Sequence, residues 1–396
     1  MTGELPDRTA ARGPLAGVRV LDLSSTFSGP YCTAQLADLG AEVLKIETPE
    51  GDVTRHLGSA REPGMASVHA EVNRDKASVV LDLKRAADAE TFRGLVARAD
   101  CLVHNVREAA AERLGITGAA TLALNPRLVH VTVTGFDSDG PLADRPAYDD
   151  VIQARSGLAW LQGLTAGRPS YVASAVADKI AGMAAAQAVL AALFERERSG
   201  LGQAVEVPMF ETLVGFTLME QWGGRAFVPP TGPTGYARLR SPYRRPYATA
   251  DGVLSTVIYH EGHWRRFLAA VGLAELPDDE RYRTPAARNH HIDELYELVE
   301  TLMAKRTTAE WTALLEEIDV PAGPVQELDE LFDDPQLVAV DYFQEVEDAA
   351  GERYLAARPA SRFSRTPLAD PRDRPAASRL GAGESVARRW LSDPPR

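Results

Sequence analysis

Residues 17–47, GVRVLDLSSTFSGPYCTAQLADLGAEVLKIE, constrain the fold more than any other stretch. GVRVLDLS is a continuous apolar run of strand type. Gly29-Pro30 opens a helix, because proline suits the first helical turn. Leu39-Gly40 closes it, with glycine at the C-terminal cap. Residues 41–47 then make a second strand. Strand, helix and strand in succession form a βαβ unit, which implies a parallel sheet. The first turn lacks GxGxxG, so the nicotinamide dinucleotide fingerprint is absent.

The alternation continues. Residues 48–70 are irregular, and NRDKASVVLDLK (73–84) ends in a strand. A helix follows over about 85–98, then a short strand at 101–105 and a helix containing Arg113. LVHVTVTGF (128–136) completes the sheet and runs into GFDSDGPLADRPAYDDVIQARSG (135–157), a Gly/Pro/Asp loop that turns into an amphipathic segment. Strands alternating with helices over this half predict an α/β fold. Ligand sites in such folds lie at the carboxyl ends of strands, facing helix starts. Asp149 and Asp150 sit at such a turn, and the residues alone do not distinguish nucleophile from helix-capping acid.

Further on, helices are expected over 149–161 and 177–198, a strand at 204–210 and a helix after it. GGRAFVPPTGPTGYARLRSPYRRP (223–246) is rich in Gly, Pro and Arg and reads as a linker or flap. Residues 247–259 suggest a hairpin. Helices follow at about 261–271, 292–305, 308–318 and 328–338. Thr307 or Thr308 ahead of Glu310 signals a helix start. A strand pair is expected in FQEVEDAAGERYLAA and an extended tail beyond about Arg358. The domain expectation is 1–222, a linker or flap at 223–246, a small domain at 247–325 and a C-terminal segment at 326–396.

The net charge of −13 argues against nucleic acid as a partner, since phosphate backbones need a basic surface. Cys32 and Cys101 are the two cysteines, far apart, and fit a reducing cytoplasm without disulfides. No signal-peptide pattern or span of about 18 apolar residues is evident, so no membrane partner is expected. The 8 histidines show no metal spacing.

In order along the chain, residues 17–47, GD..R (Gly51, Asp52, Arg55), NRDKASVVLDLK, HNVREAAAERLGI, NPRLVHVTVTGFDSDGP, AYDDVIQARSGL, ADKIAGMAAAQAVLAALFERERSGLGQAVEVPMFE, SPYRRPYATADG and DDPQL resemble the class III coenzyme A transferases. That family includes formyl-CoA transferase, carnitine-type CoA transferases and α-methylacyl-CoA racemase. The resemblance implies a Rossmann-like large domain, a smaller α+β domain and an interlocked ring-like homodimer. It implies coenzyme A or an acyl-CoA as substrate, a carboxylic acid as the second substrate, and no tightly bound cofactor. Within Ala147-Tyr148-Asp149 it makes Asp149 the catalytic carboxylate, which is ionised at neutral pH and needs no base to attack a thioester. Asp150 is left as a neighbour.

By the same resemblance, Arg74 and Lys76 lie by the adenosine and its phosphates. Asn105 and Val106 line the nucleotide cleft, and Arg113 and Leu114 flank the adenine or its phosphates. Phe27 stands where some transferases place a polar active-site side chain, and Thr48 where formyl-CoA transferase has a basic one. Gly135 and Gly140 are expected to allow close backbone approach and to offer amides to an oxyanion. Arg238, Arg240 and Arg244 either bind a substrate carboxylate or form a surface cluster. The racemase branch reads Gly-His-Asp-Ile-Asn where this chain has Ala147-Tyr148-Asp149-Asp150-Val151. It also needs a second base, and no histidine lies between Gly115 and Asn125. A non-catalytic acyl-CoA-binding protein on the same fold is the third reading.

Overall fold

Strands β1 (Arg19–Leu23), β2 (Glu42–Glu47), β3 (Lys76–Val80), β4 (Cys101–His104), β5 (Val129–Thr134) and β6 (Gln203–Pro208) form one sheet in the order β3-β2-β1-β4-β5-β6. Every pairing is parallel. The computed structural model describes residues 12–348 and 351–395. The strand order reverses between β1 and β4, which opens a crevice at their carboxyl ends. The expected parallel α/β sheet is therefore present, in the doubly wound order.

The sheet is buried on both faces, which is why its strands read as unbroken apolar runs rather than alternating ones. On one face Val20, Val43, Val103, Val131 and Val133 pack with Cys32 and Leu36 of α1 (Ser28–Asp38). Ala181, Ala185 and Val189 of α8 (Val176–Ser199) join them. On the other, Leu21, Leu44, Ile46 and Leu102 pack with Phe92 and Leu95 of α3 (Ala86–Val96) and Trp390 of α16 (Glu384–Ser392). Helices α1 and α8 approach closely at Gly182. A Cβ there would stand 2.6 Å from the Ser28 carbonyl oxygen, so only glycine lets these backbones meet. Helix α8 is long and apolar enough to cross a membrane, but half of its most apolar stretch is buried within the protein, as in a core helix.

The chain divides into two compact units: Met1–Ala159, Tyr171–Phe216 and Pro335–Arg396, and Trp160–Ser170 with Thr217–Asp334. The first holds the parallel sheet. The second holds a three-stranded antiparallel sheet of β7 (Tyr247–Ala248), β8 (Val253–Thr256) and β9 (Ala322–Pro324). Helices α11 (Glu261–Ala270), α13 (Ile292–Met303) and α14 (Thr308–Glu317) cover it around Trp264, Phe267, Tyr296 and Trp311. Thr307 is the residue that caps α14, in a reciprocal pair with Glu310.

Several elements depart from the sequence expectation. The helix expected over 149–161 is two, α6 (Asp149–Arg155) and α7 (Leu158–Ala166), parted at Gly157 with φ +86°. The helix expected over 328–338 breaks at Asp334, held extended ahead of Pro335. Helices α2 (Ser67–Val72), α4 (Glu108–Leu114), α5 (Gly118–Leu124) and α12 (Pro285–His290) punctuate the connections. The tail expected to be extended carries α16. The expected strand pair is Phe343–Glu347 with Arg353–Ala357. Residues 1 to about 14 are polar and Pro-rich and read in the sequence as a loose arm; those up to residue 11 lie outside the described residues.

Candidate active site

Asp149 is the first residue of α6, reached from β5 through the Gly/Pro/Asp loop. Gly135, just past β5, sets its approach. A Cβ on Gly135 would lie 2.4 Å from the Ala147 Cβ, so any larger residue would push the Ala147-Tyr148-Asp149 turn away. Gly140 departs from the expectation, because its amide closes a turn on the Asp137 carbonyl at 3.0 Å.

Asp149 is half-buried, and both its oxygens are held. Oδ1 accepts from the backbone amides of Ala177 at 2.7 Å and Asp178 at 3.1 Å. These belong to the first turn of α8, whose amides have no partner within the helix. Oδ2 accepts from Gln153 Nε2 at 2.5 Å. Gln153 is fully buried, and its Oε1 accepts from the Val172 amide at 2.9 Å, which turns its NH2 toward Asp149. Asp149 thus caps a helix other than its own, where the positive end of the helix dipole favours a carboxylate. Asp150 is exposed.

Asp178 repeats the device one step on. Its carboxylate takes hydrogen bonds from the Ser28 hydroxyl and amide, at the start of α1. Burial, and then the nearby Asp149 charge, push the Asp178 carboxyl up to about 6. Three helix starts, those of α6, α8 and α1, therefore converge on two carboxylates. Gln153, Asp178 and Ser28 did not stand out in the sequence; an acid in the first turn of an Ala-rich helix was the available signal.

Phe27 precedes Ser28 at the mouth of the β1–α1 loop. That loop is held in a costly conformation, with Thr26 at φ +72° although its side chain is β-branched. Its restraints are specific. Asn105, at the end of β4, takes the Ser25 amide at 3.0 Å and donates to the Ser25 carbonyl at 2.8 Å. Asp52 takes the Thr26 amide at 3.2 Å. Asn105 is thus a clamp across the β1/β4 switch point. Val106 and Leu114 pack on the adjoining core, and Val106 donates its amide to His104 Nδ1.

Residues 15–379 match the family described as CoA-transferase family III. The chain belongs to that family. It is 32% identical to a succinate–glutarate CoA-transferase of Agrobacterium fabrum over 94% of both chains. It is 33% identical to an acetyl-CoA:oxalate CoA-transferase of Acetobacter aceti, over 83% of this chain and 85% of that one. A crystal structure of a CAIB/BAIF family protein from Brucella suis superposes with a TM-score of 0.79 at 28% identity, covering 96% of this chain and all of that one. Family membership makes this an acyl-CoA:carboxylate CoA-transferase.

The cations expected around CoA in this family III transferase fall into two groups. Lys76 is 2% exposed, and its three donors go to Asp22 at 2.9 Å, the Pro30 carbonyl at 2.8 Å and Asn73 at 2.9 Å. It leaves no N–H for a phosphate. Burial pulls its ammonium down to about 8, against the attraction of Asp22. Lys45 completes that buried cluster, 3.0 Å from Asp52. Arg74 also departs from the expectation, since its guanidinium is tied to Asp38 at 2.6 Å and Glu71 at 2.8 Å. Arg113 is exposed, and among the described residues no carboxylate lies within ion-pair distance of it. It is the expected cation that remains available. Among the described residues no group of three or more His, Cys, Asp or Glu side chains is placed to hold a metal.

Proposed function

We propose that Asp149 carries the acyl and CoA groups covalently. Its Oδ2 attacks the thioester carbonyl carbon of the donor, the C–S bond breaks, and CoA leaves as thiolate from a mixed anhydride. The thiolate then attacks the Asp149 carbonyl carbon, releasing the donor acid as a carboxylate and leaving an aspartyl-CoA thioester. An acceptor carboxylate reverses both steps, giving the new acyl-CoA and free Asp149. No proton is gained or lost, so no general base is required.

The observation that carries this reading is the asymmetric holding of the carboxylate. Oδ1 accepts two amides and Oδ2 a single side-chain N–H, so Oδ2 keeps a lone pair for attack. Once Oδ2 is acylated, Oδ1 is the oxygen on which charge develops when thiolate attacks. It already lies in a pair of fixed amides at a helix start, the geometry of an oxyanion hole. In this reading Arg113 meets the phosphates, while Phe27, Asn105, Val106, Leu114 and Gly135 shape the cleft. The transferase works as a homodimer in the cytoplasm. The named relatives act on succinate, glutarate and oxalate, which supports short dicarboxylic acids as the acids exchanged.

The test is trapping. Enzyme given succinyl-CoA and hydroxylamine should gain a hydroxamate on Asp149, read by peptide mass spectrometry. Modification of another residue, or CoA exchange with no trapped species in rapid-quench experiments, would remove Asp149 from the covalent role.

A further inference from the structure

The Arg-rich segment of the second unit does not behave as one cluster. Arg240, at the end of a single turn (Ala237–Arg240), is a staple. Its guanidinium lies over the Trp160 ring at 5.1 Å and donates to Gln221 and to the Thr234 carbonyl, each at 2.9 Å. Arg238 and Arg244 instead border a cavity of about 160 Å³, together with Arg245, Tyr247 and Tyr296.

The charges around this cavity do not balance. Arg245 pairs with Glu300 at 2.7 Å, and the neighbouring Glu297 accepts from the Tyr243 hydroxyl at 2.9 Å. Among the described residues neither Arg238 nor Arg244 has a carboxylate within ion-pair distance. Arg238 is fixed by stacking on Tyr259 at 4.8 Å and by a hydrogen bond with the Tyr296 hydroxyl. Its Nε is nevertheless buried with no acceptor. A buried N–H without a partner is rare, and an acceptor from a ligand would satisfy it. Tyr247 and Tyr296 are buried, and burial raises both phenols above their ordinary value, so they stay neutral and can donate. In a chain of net charge −13, two guanidinium groups without a carboxylate partner among the described residues, lining one cavity with two buried phenols, form a local exception.

We propose that this cavity is an oxyanion-binding site built wholly within the second unit, taking a small doubly charged anion between Arg238, Arg244 and the tyrosine hydroxyls. Planar, forked guanidinium groups suit carboxylate and phosphate oxygens alike. The ligand is therefore either a short dicarboxylic acid or a phosphate. The site goes beyond the transferase chemistry, since it uses none of the residues around Asp149.

The experiment titrates full-length protein with inorganic phosphate and, separately, with succinate by isothermal calorimetry. Wild type should bind at least one of them saturably. Arg244→Gln changes an exposed side chain, and Arg238→Gln is accompanied by circular dichroism as a folding check. Each should weaken binding roughly tenfold or more, the scale of a lost charge-assisted hydrogen bond. Arg388→Ala, on the exposed face of α16, should bind like wild type. Preference for phosphate assigns a phosphoryl ligand, and preference for succinate a dicarboxylate. The proposal is overturned if neither anion binds saturably, if binding survives both Arg238→Gln and Arg244→Gln, or if it is lost in Arg388→Ala.

Discussion

Replacing Asp149 by Asn and by Ala separates a covalent carrier from a helix cap, because the two roles weight the substitutions differently. Asn keeps a carbonyl oxygen where Oδ1 accepts from Ala177 and Asp178; it loses the charge at the helix start and the Oδ2 acceptor of Gln153, whose Nε2 still has the Ser174 carbonyl at 3.3 Å. That charge is worth about 0.3–1 kcal/mol. Ala removes the acceptor altogether, leaves two first-turn amides without it, and should cost about 1–3 kcal/mol. With roughly 1–2 °C per kcal/mol for a chain this long, Asn should barely move the midpoint of thermal unfolding while Ala lowers it by roughly 1–5 °C. Activity should not follow that order. An amide nitrogen at Oδ2 cannot open a thioester, so both variants should lose CoA exchange by about a thousandfold or more, as enzymes do on losing a covalent nucleophile. The assay is succinyl-CoA consumption against a panel of carboxylic acids, alongside calorimetric unfolding. An Asp149→Asn variant that is stable and exchanges CoA within about tenfold of wild type would refute the reasoning, because tenfold is only about 1.4 kcal/mol of barrier.

Other perturbations probe the surroundings. Ala177→Pro deletes the amide nearest Oδ1 at a first-turn position that tolerates proline, and kcat should fall about a hundred- to a thousandfold at equal folded fraction; an unchanged kcat would dismiss the oxyanion role. Asn105→Ala frees the strained Thr26 loop, and the KM for acyl-CoA should rise more than kcat falls in steady-state kinetics. Lys76→Met takes the nearer ammonium from buried Asp22, leaving Lys45 at 3.8 Å, and should destabilise the protein by about 3 kcal/mol in urea unfolding. A phosphate ligand would instead show an altered KM at normal stability. Acid should also destabilise. Burial holds His69 and His104 down to about 3 and His130 down to about 4, from an ordinary 6.5. Between pH 6.5 and about 4 the unfolded chain takes up these protons and the folded one does not. Stability therefore falls with falling pH, by at most about 1.4 kcal/mol per unit for each histidine. Asp178, raised from 3.8 to about 6, opposes one of the three between those values, since the folded state holds its proton there. A denaturation midpoint flat from about pH 7 to about pH 4.5 would contradict this.

The parallel sheet was legible because its strands are covered on both faces and so read as apolar runs bounded by glycine and proline. What stayed hidden depends on contacts distant in sequence. Helix α16 lies in an Arg- and Pro-rich tail, and only Val386, Ala387 and Trp390 face the core, too few for a periodic signal. Trp390 is fixed by Glu42, through a 2.8 Å bond across 348 residues. Lys76 looked like a phosphate ligand because nothing local reveals burial. Its partners Asp22 and Pro30 stand on other elements, and only their convergence turns a surface cation into a core one. Among the three arginines grouped by composition, packing alone sets Arg240 apart from Arg238 and Arg244.

The same logic explains why Asp149 and Asp150 were indistinguishable as residues. Both are first-turn acids of α6, and α6 by itself favours either. The difference comes from α8, whose first-turn amides reach Asp149 and whose Asp178 reaches Ser28. At rest the two carboxylates crowd one region, and the Asp149 charge is among the causes that raise Asp178. In the proposed reaction, acylation makes Asp149 neutral. The amides of Ala177 and Asp178 keep an acceptor in its carbonyl oxygen, so α8 loses no hydrogen bond. Asp178 loses its repelling neighbour, so its ionised form, facing the start of α1, becomes easier to hold. The local charge falls from two toward one as the covalent intermediate forms, and that relief favours acylated enzyme over free carboxylate. An isolated cap would have no such coupling, since its charge would be needed in every state.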